Sequence, residues 1–310
     1  MTTAPSLWSS NRRSHRLFTV LACVFLLSTA TKAAEPTSAR KALQDISTWG
    51  YQLQGASLNG IAASPYQLVV IDHSRDGSSA GAYSRESIAG LKKMPDGRRR
   101  LVVSYFSIGE AEDYRGYWQP EWFNTPPQWL EEENPNWPGN YVVKFWDPQW
   151  QDVMIAQLDR IIAAGFDGVY LDRVDIFQEF TSDPDIEQKM IEFVQRLSDH
   201  AREKNPDFIV IGQNAEGLLR YANYISVIDG VGKEDLLFGV HGDEIRNSDE
   251  EIYWSSKYLR MGADAGVPIF IIEYLNDPDL KAQAAKEISK LGYVVTCADR
   301  ALELPSTDCR

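Results

Sequence analysis

The chain has 310 residues, 44% hydrophobic and 24% charged, the proportions of an ordinary globular protein and not of a disordered or multi-span membrane chain. Its formal net charge of −13 disfavours nucleic acid and anionic lipid as partners and suits either a cationic ligand or plain solubility.

Arg12, Arg13 and Arg16 precede an apolar run from Leu17 to Leu27, which is followed by small residues around Ala30, Ala33 and Ala34. This is the three-part layout of a secretory signal, with an apolar run too short to span a bilayer comfortably. Cleavage near Ala33 or Ala34 is expected, giving a secreted or periplasmic protein with no membrane attachment; an uncleaved anchor is the alternative. Removing residues 1–34 takes away four basic residues and no acidic ones, which carries the net charge to −17. Cys23 leaves with the leader. Cys297 and Cys309 remain, and an oxidising compartment allows them to pair, although a buried free Cys297 is also compatible with the sequence.

Residues 35–45 read as a short N-terminal segment and 46–310 as a single domain. Strand-like and helix-like segments alternate from Ser47 onward. The expected strands are Trp49–Leu53, Gln67–Ile71 ending in Asp72, and Leu101–Ile108 ending in Glu110 to Asp113. Next come the stretch from Gly165 to Asp175, a short run with apolar Val169 and Leu171 ending in Asp172 and Asp175, and Phe208–Ile211 ending in Gln213 and Asn214. The last three are Val227–Val231 ending in Glu234, Pro268–Ile272 ending in Glu273, and Tyr293–Cys297 ending in Asp299. Near-continuous apolar runs of this kind suit strands buried on both faces of a parallel sheet. Asp147-Pro148, Asp183-Pro184 and Asp277-Pro278 each place a capping side chain before a proline at the first helical position. Ser248 and Glu251 have capping-box spacing, and Gly165 stops the helix that begins at Pro148. Eight strands over about 270 residues predict a (β/α)8 TIM barrel of class α/β. A doubly wound open sheet is the competitor, but no glycine-rich dinucleotide fingerprint follows the first strand.

Nearly forty residues rich in proline and tryptophan separate the third strand from Pro148. Six of the nine tryptophans fall between Trp118 and Trp150. A long ordered loop on the strand-end side of a barrel is usually functional. Its rings suit a saccharide groove, with about half of them expected to form the insertion's own core. The strand ends bring Asp72, Glu110, Asp113, Asp172, Asp175, Asn214, Glu234, Glu273 and Asp299 to one rim. Asp113 is weighed as a loop charge or a partner for Arg115. Several carboxylates around one cleft point to glycoside hydrolysis, which needs one ionised and one protonated member. His73, His200 and His241 lack paired metal-ligand spacing, and no cofactor is implied. No Gly-x-Ser-x-Gly elbow occurs.

The strings Tyr105 to Arg115, Gly165 to Asp175, Gln213-Asn214-Ala215-Glu216, Val231 to Glu234 and Tyr293 to Val295 resemble glycoside hydrolase family 114. That is the endo-α-1,4-polygalactosaminidase family, here its extracellular branch once labelled cysteinyl-tRNA synthetase-like. The resemblance runs over about residues 45–305. It implies a retaining barrel hydrolase of α-1,4-linked galactosamine polymers, with Asp172 as nucleophile and Glu234 as acid/base. Retention would set the two roughly 5–5.5 Å apart. Tyr105, Arg115, Trp118, Asn214 and Tyr274 are expected to hold the sugar, and Asp72, Glu110 and Glu273 to face the ammonium groups of a cationic amino sugar. Asp175 is the fallback for Asp172. The protein is expected to act as a monomer on polysaccharide. A catalytically silent saccharide-binding protein on the same barrel is the competing expectation.

Overall fold

A computed structural model describes residues 38–303 together with 305, 306 and 309; the leader 1–34 lies outside the described residues. Eight parallel strands follow one another in chain order around a single sheet. They are β1 (Trp49–Gln52), β2 (Leu68–Ile71), β3 (Leu101–Ser107), β4 (Gly168–Asp172), β5 (Ile209–Gln213), β6 (Gly230–Glu234), β7 (Ile269–Tyr274) and β8 (Val294–Ala298). The expected TIM barrel is therefore what forms, in one domain. β8 comes round to lie against β1 without a continuous ladder. The chain after β8 bridges that seam: Leu53 and Gln54 N–H both donate to Leu302 O at 3.1 and 3.0 Å. The Ser306 hydroxyl accepts from Tyr51 N–H at 2.7 Å and donates to Tyr51 O at 2.6 Å. A Cys297–Cys309 disulfide holds this strap to β8.

Strand side chains alternate between two apolar shells, as a period of two requires. Leu68, Val70, Leu101, Val103, Tyr170, Ile209, Ile211, Phe270 and Ile272 fill the barrel interior. Their neighbours Val69, Ile71, Val102, Val169, Leu171, Val210 and Ile271 pack outward against the helices. At Gly232 on the inner face, a Cβ would stand 1.9 Å from the Tyr170 hydroxyl, so the ring of β4 reaches across only because β6 carries no side chain there.

The helices are α1 (Ala39–Leu43), α2 (Leu58–Ala63), α3 (Arg85–Leu91), α4 (Pro148–Ala164), α5 (Ile186–Lys204), α6 (Ala222–Val227), α7 (Asp249–Asp264) and α8 (Pro278–Ser289). Ala39 and Leu43 of α1 are buried in the inner shell, so the segment set apart as 35–45 contributes to the barrel core. The Asp147 and Asp277 caps form as expected, as does the Ser248–Glu251 capping box. Asp183 does not cap its helix. Its carboxylate accepts Asp185 N–H at 3.0 Å in a turn, and α5 starts at Ile186. The sixth strand begins at Gly230 and not at Val227, because residues 222–227 close a short helix first.

The insertion after β3 folds into a three-stranded antiparallel sheet, with Asn140–Val143 between Glu110–Glu112 and Leu130–Glu133. Trp118, Trp122, Trp129 and Trp150 pack in succession, edge-on or tilted, at about 5 Å between centroids, and Trp146 packs on Phe145 and Phe180. Five of the six rings thus build the insertion's own core or tie it to the barrel. Only Trp137, 55% exposed, turns to the cleft.

Candidate active site

A cleft of about 610 Å³ opens at the C-terminal ends of the strands, the end at which barrel enzymes do chemistry. Strand parity decides which side chains form its floor. Trp49, Val70, Val103, Tyr170, Ile211, Gly232 and Ile272 point inward or lie on the inner face. The residues two further on therefore complete the uppermost inward layer: Tyr51, Asp72, Tyr105, Asp172, Gln213, Glu234 and Tyr274. All seven line the cleft. Immediately beyond β4, β5 and β6 the backbone turns through left-handed conformations at Arg173 (φ 58°), Asn214 (φ 59°) and Asp235 (φ 53°). For residues other than glycine this costs energy and is found where a site must be shaped.

Asp172 and Glu234 sit two strands apart, each gripped by a tyrosine. The Tyr105 hydroxyl donates to Asp172 Oδ2 at 2.6 Å, and Arg173 N–H donates to Oδ1 at 2.8 Å. The Tyr274 hydroxyl donates to Glu234 Oε1, and Asn214 Nδ2 donates to Oε2 at 2.6 Å while its Oδ1 accepts Glu234 N–H at 3.0 Å. Burial and, second, the charge of Glu234 push Asp172 up from 3.8 to about 7, against the pull of the Tyr105 bond. The Glu234 charge thus reaches Asp172 across one hollow. Burial also raises Asp175, which lines the cleft 3.8 Å from Arg173. Tyr51, Tyr105, Tyr170 and Tyr274 are all pushed well above 10 by burial and by these acids, so they stay protonated.

One wall is a buried ionic frame. Arg115 donates to both oxygens of Asp72 at 2.9 and 2.7 Å and to Glu112 at 2.6 Å, and lies over the Tyr105 and Tyr114 rings. Burial alone would raise the Asp72 carboxyl; Arg115 and His73 outweigh it and hold Asp72 below 3.8. Asp113 takes no part in this frame: Arg115 pairs with Glu112 and Asp72 instead. Glu110 is buried among Asn134, Asn140 and Arg173. These acids shape the wall, and their lone pairs are largely committed within the protein.

Three expected site residues lie elsewhere. Glu273 has the opposite parity to Tyr274, so it points out of the barrel, where its oxygens accept Leu237 and Phe238 N–H and burial raises it to about 8. Asp299 accepts Glu303 N–H in the turn after β8. Trp118 packs between Trp122 and Tyr141. Conversely, Tyr51, Glu112, Arg173, Gln213 and Arg300 line the cleft without having been assigned to it from sequence, and Trp137 is the insertion ring that lines it as the sequence expected of about half of them. Tyr51 and Gln213 were signalled only by their place at strand ends, as polar residues without charge.

Comparison with known proteins agrees with the barrel fold. The model of Glycoside-hydrolase family GH114 matches residues 28–310. A Methanocaldococcus jannaschii protein, MJ1477, is 40% identical over 273 residues, spanning 82% of this chain and 77% of its own length. A Deinococcus radiodurans protein is 36% identical over 272 residues, covering 86% and 85%. Among solved structures, the glycoside hydrolase domain of PelA from Pseudomonas aeruginosa superposes with a TM-score of 0.65 at 16% identity, covering 85% of this chain and 98% of that one. Aspergillus fumigatus Ega3, solved in complex with galactosamine, gives a TM-score of 0.62 at 19% identity, covering 89% and 98%.

Proposed function

The chain belongs to glycoside hydrolase family GH114 and is a glycoside hydrolase, and from that premise we propose that it is exported and cleaves α-1,4-linked, galactosamine-containing polysaccharide with retention of configuration. The observation that carries this reading is the Asp172–Glu234 pair, held by separate tyrosines over one cleft and coupled through their charges. In the first step Glu234 gives its proton to the glycosidic oxygen as the C–O bond breaks. Asp172 Oδ attacks the anomeric carbon and forms the glycosyl-enzyme. In the second step Glu234 takes a proton from water, whose oxygen displaces Asp172 and restores both carboxyls. Tyr105 and Arg173 N–H hold the Asp172 carboxylate in place for attack. Asn214 and Tyr274 fix the Glu234 carboxyl.

Attack needs Asp172 ionised and proton donation needs Glu234 protonated, whereas in the free protein burial and the Glu234 charge hold the Asp172 carboxyl up at about 7. A sugar ammonium beside Asp172 favours its ionised form, and the acidic chain draws such a ligand in. The Cys297–Cys309 disulfide supports an oxidising compartment, in line with the leader read in residues 1–34. No helix among the described residues is long and apolar enough to cross a membrane. The test is incubation of the leader-free protein with partly de-N-acetylated α-1,4-galactosaminoglycan, reading new reducing ends and the anomer first formed by proton NMR. The α-anomer should appear first, and Asp172→Asn should abolish release. A β-anomer product would overturn retention, and no release from that polymer alongside release from another glycan would overturn the substrate.

A further inference from the structure

The cleft does not end at Glu234. A second hollow of about 380 Å³ shares Asp175, Asn214 and Glu234 with it, so the two meet at Glu234. Its size falls within the range of small-ligand sites. Its walls come from the turns after β4 and β5, through Gln178 and Glu216, and from α7, through Trp254 and Tyr258.

Trp254 is 44% exposed. The capping box sets the first turn of α7, and the neighbouring Ser255 hydroxyl donates to Glu216 at 2.6 Å. The Lys257 ammonium lies 4.2 Å from the Trp254 ring centroid but is not part of the hollow's lining. A large aromatic ring, flanked by Tyr253 and Tyr258 and with Lys257 over one face, is thus anchored on its helix, with the rest of its surface open to the hollow beside Glu234. The charges at this end are already compensated: Glu216 faces Lys233 at 3.4 Å, and Asp235 pairs with Arg300 at 3.0 Å.

We infer that this hollow is a second sugar-binding arm, in which Trp254 stacks against a ring of the polysaccharide on the far side of Glu234 from the main cleft. The inference rests on the glycosidase reading above. Recognition there is by the apolar face of the sugar on the indole, not by charge, because no carboxylate exclusive to this arm is free of a cation.

The test uses the full mature chain carrying Asp172→Asn, titrated calorimetrically with α-1,4-linked galactosamine oligosaccharides of increasing length. Affinity should rise when the oligosaccharide becomes long enough to cross Glu234. Trp254→Ala should erase that rise, weakening long ligands about tenfold, the scale of losing an aromatic anchor, while galactosamine itself binds as before. The loss should persist at raised ionic strength, and Trp254→Phe should keep most of the affinity. Met261→Ala, exposed on the same helix and outside the hollow, should change nothing. Melting curves of each variant show that the fold is kept. Unchanged binding of long ligands by Trp254→Ala, or a loss that salt removes, overturns the arm. Cleavage by the chain without Asp172→Asn is read separately, so failure of the glycosidase reading is distinguishable from failure of the arm.

Discussion

Replacing Asp172 by asparagine should stabilise the protein in alkaline solution while destroying its activity. Burial and the neighbouring Glu234 charge push the Asp172 carboxyl from 3.8 to about 7. The unfolded chain gives up this proton near its ordinary value, so between about pH 4 and 7 the folded state holds more protons and stability falls as pH rises. At about 1.4 kcal/mol per pH unit the whole displacement corresponds to roughly 4 kcal/mol. The cleft is open to water and Asp172 is only partly buried, so screening should reduce this to about 2 kcal/mol. The amide introduced by Asp172→Asn bears no charge at any pH. The variant's melting temperature should exceed that of the parent by about 4 °C near pH 8 and match it near pH 4, for a chain of this size. Thermal melts followed by circular dichroism across that range provide the assay. Parallel pH profiles for the two proteins, with a constant offset, would refute the claim that the fold holds Asp172 against ionisation.

Tyr105→Phe removes a donor to the Asp172 carboxylate, a bond worth about 1.5–3 kcal/mol when charged. The acid limb of kcat/KM should move to higher pH and its plateau fall about tenfold or more; an unmoved limb would show that the bond does not favour the ionised form. Arg115→Ala leaves Asp72 and Glu112 buried without their cation. It should cost about 3–5 kcal/mol in a urea titration, and a loss below about 1 kcal/mol would mean that water replaces the guanidinium. Cys309→Ser frees the strap that crosses the β1–β8 seam. The closed loop is short, so the loss should be about 3 kcal/mol, read as a lower melting temperature that equals that of the parent under reducing conditions.

Much of this protein is legible in one dimension. The barrel follows from eight doubly buried strands between capped helices, and a parallel barrel puts the ends of all its strands on one rim, which makes Asp72, Asp172 and Glu234 visible as neighbours before any coordinates exist. What the linear pattern lacks is parity. Because both faces of each strand are apolar, nothing in Ile271-Ile272-Glu273-Tyr274 marks which of the last two turns inward. Only closure of the ring sends Tyr274 to Glu234 and Glu273 to the Leu237 and Phe238 amides, since a shift of one residue reverses the face. The tryptophans carry the same lesson. Composition gathers six of them into one insertion, yet packing turns Trp118 inward and leaves Trp137 and the distant Trp254 on the hollows, because which aromatic ring stays open depends on what folds over it from elsewhere in the chain.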